Sequence, residues 1–360
     1  MRKLFVFVGI WLALLSWIPA FGDTLKKSPN HVYIATFNVY ILGGVDTKYN
    51  NITEWGADVD DTIPERITNL ANVIAVGGFH IAAIQELQAD PKGYFATKDL
   101  QHALRKNHNQ KYRFFISDYI GRGLIPEVMA FLYRPHKAIY KRIEGSRSNN
   151  IAIPGRDLVK TQWISGDFDF TLISAHLAWG NRKHRDSGYK KTKDVFDNPS
   201  HYSNDPDILV LGDFNRFGKS FDSVKNLPCD ASKFLAPNIT FFDPDFNAIK
   251  KVTRASIREK GVPNDNPQLI STTVAPTKFV YDMIVFSADT AEEFPPGSNE
   301  AEYMKDFGIV HFDEAIGFGY QLGADNLSHH DLKEAYSDHR PLWMRFKTKG
   351  NFDDGTWDTP

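Results

Sequence analysis

Residues 208–215 read Ile-Leu-Val-Leu-Gly-Asp-Phe-Asn. Four apolar, strand-forming residues run into a glycine, a carboxylate, an aromatic ring and an amide. An apolar run of this kind, without alternation, predicts a strand buried on both faces. A carboxylate can follow such a run only where the strand has left the core. Asp213 and Asn215 are therefore expected at the C-terminal mouth of the strand, two residues apart and facing the same way. Gly212 lets something approach the backbone closely. Such mouths are where α/β sheets place their ligands. A strand closed by an Asx turn would give the same local sequence with no chemistry. What separates the two readings is whether other apolar runs along the chain also end in polar residues.

The 360 residues are 42% hydrophobic and 24% charged, the composition of a globular protein with an ample core. Arg2 and Lys3 precede the apolar run Leu4–Ile18, and small residues follow it through Gly22. This is the pattern of a secretory signal peptide over residues 1–22, with the mature chain starting near Asp23. A membrane anchor is the alternative, but the run is short for a span and lacks a stop-transfer flank. The expectation is a secreted or periplasmic protein with no stable membrane association after signal removal. Cys229 is the only cysteine, so no internal disulfide can form and stability must come from the core. Formal net charge is −2, or −4 once Arg2 and Lys3 are removed. Nothing global favours a polyanion, and any such binding must rest on local patches.

Along the chain, His31–Phe37 alternates and ends at Asn38. A polar loop through Asp61 leads to a helix. Thr62 is its expected N-cap, Glu65 completes a capping box, and Ile67, Leu70, Ala71 and Ile74 form its apolar face. Gly77-Gly78 stops it. Phe79–Ile84 is a strand with Gln85-Glu86 at its end, which makes a βαβ unit. A helix is expected near Asp99–Asn107, and strands over Tyr112–Ser117 and Val128–Tyr133. Leu158–Ile164 and Phe168–Ala175 read as a hairpin, with His176 after its second strand. The basic stretch Arg182–Lys193 reads as a loop, and a second basic segment covers Lys250–Lys260. Phe279–Phe286 is a strand with Asp282 inside it. Ser337-Asp338-His339 precedes a closing strand, Pro341–Phe346, and residues 350–360 form a loose tail. One catalytic domain over residues 23–349 is expected.

Asn38, Glu86, His176, Asp213, Asn215, Asp282, Asp338 and His339 thus each sit at or near the end of an apolar run. Strands lying side by side would bring them to one rim. The ordered set T-F-N, Q-E, A-H, G-D-F-N, Y-D-x-I and S-D-H-R-P resembles the endonuclease/exonuclease/phosphatase superfamily, and deoxyribonuclease-like members in particular. The resemblance runs from about Val32 to Phe346. It implies a four-layer α/β sandwich, two packed mixed β-sheets flanked by helices.

Cleaving a phosphodiester needs an in-line nucleophile, a base, and positive charge beside the developing oxyanion. Mg²⁺ suits the last role through one or two carboxylates, with Mn²⁺ as a substitute and Ca²⁺ as a structural ion. Glu86 is the expected ligand, assisted by Asn38 and Asp338; a solvated strand-end acid is the plain alternative for Glu86. His339 is the expected general base. The resemblance implies that Asp282 orients it, that His176 is a second catalytic imidazole held by Glu127, and that Asp213 and Asn215 position water and phosphate. It also implies that Arg156 contacts phosphate, where a surface-loop arginine is the alternative. The basic Arg182–Lys193 stretch, with Tyr189 among its charges, suits a polyanion beside the rim. The expected partner is nucleic acid, DNA foremost, as substrate of a monomeric, rather nonspecific nuclease. A sphingomyelinase or another phosphoesterase, and an inactive binding module, are the readings kept beside it.

Overall fold

The computed structural model describes residues 28–44, 47–49, 52–55, 61–89, 91–121, 126–141, 149–215, 239–242, 281–287, 290–293, 307–310, 312 and 334–350. The signal segment, the Lys250–Lys260 patch and the 351–360 tail lie outside them.

β1 (His31–Leu42) carries the alternation read in the sequence. Val32 and Ile34 face one apolar layer, and Tyr33, Ala35 and Phe37 face another. It continues past Asn38, where the sequence suggested an end, through an irregularity between Asn38 and Leu42. α1 (Glu65–Gly77) follows. Its N-cap is Pro64 with no side-chain cap, so the expected Thr62–Glu65 capping box does not form. Thr62 instead gives its carbonyl to Lys48. The expected stop does form: Gly78 takes φ 61° and donates its N–H to Ile74. β2 (Ile81–Gln88) pairs parallel with β1, completing the βαβ unit.

α2 (Lys92–His108) starts earlier than its apolar pattern suggested. β3 (Arg113–Ile116), β4 (Glu127–Tyr133), β5 (Ile139–Lys141) and β6 (Asn150–Ile151) come next. β7 (Leu158–Ser165) and β8 (Phe168–His176) form the expected hairpin. The basic stretch is not a loop but a helix, α3 (Arg182–Asp197), capped by the Asn181 side chain. Tyr189, set among those charges in the sequence, is buried against Phe214 and donates to its carbonyl at 2.7 Å. The run of charges hid the buried positions Tyr189, Thr192, Val195 and Phe196, whose spacing is helical. β9 (Ile208–Asp213), β10 (Ile239–Phe242), β11 (Asp282–Ser287), the short α4 (Thr290–Glu293), β12 (Phe307–Ile309) and β13 (Leu342–Lys347) complete the described elements. Asp282 opens β11 rather than lying inside it, and Phe279 and Val280 fall outside the described residues.

One sheet runs β12-β13-β1-β2-β4-β3, the other β10-β11-β9-β8-β7-β5 with β6 on β7. Both mix parallel and antiparallel pairs. Ile34, Phe131, Trp163, Leu209, Leu211 and Met344 pack between the sheets. α1 and α2 cover the first sheet over Phe37, Leu70, Ile74 and Leu100. α3 covers the second over Ile208, Val210, Val195 and Phe196. Helix, sheet, sheet and helix make the four-layer α/β sandwich. β9 shows why its sequence did not alternate: Leu209 and Leu211 fill the inner layer, and Ile208 and Val210 the outer one. Among the described residues, no helix is long and apolar enough to cross a membrane.

Candidate active site

β8 and β9 end level with the start of β11. In their ladders His176 pairs with Asp213, and Asp213 with Asp282. Register alone therefore sets three functional side chains abreast. Gly212 permits it: its φ is 142°, and a Cβ there would lie 1.9 Å from the Ala175 carbonyl oxygen. The Asx turn after the strand also forms, Asp213 Oδ1 accepting the Asn215 N–H at 2.7 Å. The Asn215 amide donates to the Leu177 carbonyl at 2.7 Å. The turn uses only one of the two carboxylate oxygens, and Oδ2 of Asp213 remains turned toward the rim.

Two imidazole–carboxylate pairs flank that oxygen. His339 Nδ1 lies 2.7 Å from Asp282 Oδ2, and its Nε2 lies 3.8 Å from Asp213 Oδ2. His176 Nδ1 lies 2.8 Å from Glu127 Oε2, and its Nε2 lies 3.7 Å from Asp213 Oδ2. A carboxylate on one ring nitrogen fixes tautomer and orientation and leaves the other nitrogen for chemistry. Arg156 closes the second group. It pairs with Glu127 Oε1 at 2.6 Å and approaches His176 Nε2 at 2.7 Å.

The first sheet brings the remaining groups. Asn38 Nδ2 donates to Glu86 Oε1 at 2.9 Å and to Asp213 Oδ2 at 3.0 Å, which joins the two sheets across the rim. Glu86 sits in a register irregularity of β2 with φ 60°, and its Oε1 is 3.3 Å from His176 Nε2. Below it Gln85 bridges the sheets, accepting from Thr36 at 3.0 Å and donating to Ser174 at 2.9 Å. Ser337 Oγ donates to the Asn38 carbonyl at 2.7 Å and accepts the His339 N–H at 3.0 Å.

This many acids in one buried place shift one another. Burial pushes Asp213 up to about 6, against the pull of the His339 charge. For Glu86 burial also raises the pKa, but the neighbouring His176 and a hydrogen bond from Asn38 outweigh it and hold the carboxyl well below the usual range. Burial lowers His339, yet the Asp282 and Asp213 carboxylates win and raise it well above its ordinary value. Burial and then Arg156 lower His176, while Glu127 and Glu86 carry it up to about 9. The Arg156 contact opposes that last direction. A guanidinium only donates, so Nε2 must accept wherever Arg156 sits at 2.7 Å. With Arg156 seated, His176 is the neutral tautomer with its proton on Nδ1, facing Glu127. The carboxylates favour the imidazolium once the guanidinium is drawn away.

Asn38, Glu86, Glu127, Arg156, His176, Asp213, Asn215, Asp282 and His339 are thus joined in one contact network. Asp338 adjoins it, and its charge helps raise both His339 and Tyr281. Of the expected ligands Asn38, Glu86 and Asp338, Glu86 belongs to a group that could hold an ion, and Asn38 is bonded to both of its carboxylates. Among the described residues that group is Glu86, His176 and Asp213, with ligand atoms all within 4.8 Å of one another. Two carboxylates in that group suit a hard divalent ion, and the imidazole widens the choice toward Mn²⁺. The sequence assigns no role to Gln85, Ser337 or Arg66, although Ser337 opens the S-D-H-R-P motif. Gln85 stood beside Glu86 in the quoted Q-E pair, and only its spanning of both sheets distinguishes it.

No protein-family model matches the sequence, and none of the curated proteins does. Solved structures do match. A humanized D. rerio TDP2 carrying 14 mutations is 16% identical, over 89% of this chain and 100% of that one, with a TM-score of 0.47. The human Nocturnin catalytic domain with a bound sulfate anion is 13% identical, over 89% and 94%, with a TM-score of 0.47. An endonuclease/exonuclease/phosphatase family protein from Bacteroides thetaiotaomicron is 15% identical, over 90% and 100%, with a TM-score of 0.46.

Proposed function

We propose that this chain is an exported, Mg²⁺-dependent phosphodiesterase, foremost a rather nonspecific nuclease that works as a monomer. One observation carries the reading: two imidazole–carboxylate pairs turn their second ring nitrogens toward the same carboxylate oxygen, 3.7 and 3.8 Å away. Hydrolysis forms a bond from water oxygen to phosphorus and breaks the bond from phosphorus to the leaving oxygen. His339 Nε2 takes the proton from the water, with Asp282 stabilising the resulting imidazolium. Asp213 and Asn215 orient the water. Arg156 moves its guanidinium from His176 to the phosphate oxygens. His176, then free to protonate between Glu127 and Glu86, gives its proton to the leaving oxygen. Glu86 and Asp213, the two carboxylates of the converging group, would hold the cation, with the Asn38 amide bonded to both; the cation would supply positive charge beside the phosphate.

Donor chemistry supports that fit. Four carboxylates, Glu86, Glu127, Asp213 and Asp282, crowd the site and draw protons onto its histidines. A base must be neutral to act, and a divalent cation relieves the excess negative charge that keeps His339 protonated.

The surroundings support nucleic acid. Trp179, three residues past His176, is 69% exposed and offers a face on which a base can stack. Lys183 and Lys190 are exposed on α3, which starts just beyond. The test is plasmid nicking with Mg²⁺, with EDTA and His339→Ala as controls. Mg²⁺-dependent nicking abolished by both controls is expected. A folded protein that nicks nothing would overturn the nuclease, and vesicles of choline phospholipid or small phosphate esters would then identify the ester cleaved.

A further inference from the structure

α1 packs against the first sheet through an apolar face, yet it buries a guanidinium. Arg66 is 6% exposed, and its Nη2 donates to the carbonyls of Val39, Tyr40 (2.6 Å) and Tyr336 (3.2 Å). One turn on, Asn69 donates to the Ala335 carbonyl at 3.2 Å. Burying a charge is costly, and a leucine or methionine would cover the sheet without that cost. The guanidinium is placed where an apolar side chain could not serve.

Val39 and Tyr40 open the segment in which β1 departs from strand geometry: Tyr40 and Ile41 have φ of 47° and 48°. Neither is glycine, and such a conformation persists only when its surroundings impose it. Asn38, immediately before, reaches Glu86 and Asp213 from that bent backbone. Tyr336 lies three residues before His339. One nitrogen of Arg66 therefore grips both the strand that carries Asn38 and the loop that carries the base. Ser337, bonded to the Asn38 carbonyl and to the His339 N–H, is the second tie between the same two segments.

We infer that Arg66 is a positioning residue, which holds the cation-binding edge of the site (Asn38 with Glu86) in register with the general base His339. This rests on the phosphodiesterase reading. It predicts that loosening Arg66 weakens cation binding and turnover together, without a matching loss of substrate affinity.

Arg66→Lys, Arg66→Met and Asn69→Ala would be compared with the wild-type chain. The readouts are the melting temperature in chelator, the Mg²⁺ concentration that gives half of the Mg²⁺-induced rise in melting temperature, and kcat and KM for phosphodiester hydrolysis. For Arg66→Met the Mg²⁺ midpoint should rise roughly tenfold. Its kcat should fall on the order of 100-fold, with KM within about twofold of wild type. Arg66→Lys should recover part of both. Asn69→Ala touches only the loop side. It should lower kcat by less than about tenfold and leave the Mg²⁺ midpoint unchanged.

Wild-type Mg²⁺ midpoints in both Arg66 variants would overturn the inference, as would kcat losses that merely follow the folded fraction. Should Arg66→Met not fold, Arg66→Lys decides. A wild-type chain that is stabilised by Mg²⁺ but cleaves no phosphodiester would end the phosphodiesterase reading alone, and the midpoints would still judge Arg66. No effect of Mg²⁺ on the wild-type chain would end both.

Discussion

On the β8–β9–β11 side of the rim, His176, Asp213 and Asp282 stand abreast because β8 and β9 end level with the start of β11. On the β1–β2 side, Asn38 and Glu86 arrive where the backbone leaves strand geometry, with positive φ at Tyr40, Ile41 and Glu86. The regular half follows from pairing, so whatever spoils it spoils the fold. The strained half must be held from outside, so it can loosen while the sandwich stands. One site thus has two modes of failure.

The largest effect should come where the two halves meet, at His339, whose loop is tied to Asn38 and whose ring is paired with Asp282. His339→Ala is expected to lose about 10²–10⁴-fold in kcat with an unchanged far-UV spectrum. Asp282→Asn, which keeps the shape and removes the charge behind the imidazole, should approach that loss. Activity within tenfold of wild type in either variant would remove His339 from the base role.

Gly212→Ala tests register itself. The new Cβ meets the Ala175 carbonyl, and the cost should be about 3 kcal/mol of stability. Activity and thermal stability should fall together. A stable but inactive protein would contradict the view that the regular half fails with the fold.

A pH series separates the halves further. The folded-state pKa of His339 stands above its unfolded value, so folding takes up a proton there. In chelator that contribution is fully present below pH 6.5 and is lost as pH rises through the raised pKa. Melting temperature should therefore decline above pH 6.5. Asp282→Asn should flatten the decline. A wild-type melting temperature that rises over this range would show that the carboxylates do not raise His339.

The smallest effect belongs to the strained half. Ile41 is β-branched at φ 48°, and asparagine tolerates that region better. Ile41→Asn should gain about 1 kcal/mol, visible as a modest rise in melting temperature, with kcat within about twofold of wild type. A loss of stability would mean that the Ile41 side chain contributes more by packing than its backbone costs.

This division also marks what the sequence made legible. Runs such as Ile208–Asp213 and Phe168–His176 place a polar residue where an apolar strand leaves the core, and strand period carries that information. Asn38 and Glu86 could be noticed as polar residues near strand ends, but the continuation of both strands past them could not. Positive φ at tyrosine, isoleucine and glutamate leaves no compositional mark, unlike the glycines at 78 and 212. Arg66 was equally hidden, because a charged residue in the first turn of an amphipathic helix ordinarily faces water. The α3 segment was misjudged for a related reason: its lysines and arginines masked the four positions that pack inward. The grouping of Glu86, His176 and Asp213, from three separate strands, was not legible either, since tertiary placement rather than chain proximity decides which atoms meet.

The Gln85 bridge has a mechanical consequence. The seam between the sheets is otherwise largely apolar, and apolar faces can slide with little directional resistance. Gln85 pins it like a dowel, with one bond to Thr36 on β1 and one to Ser174 on the opposite sheet. Sliding the sheets past one another would strand a buried amide, at about 1–3 kcal/mol. A ligand that needs room must find it at the rim, in the connectors around Trp179 and Tyr336, while the floor of the site stays fixed.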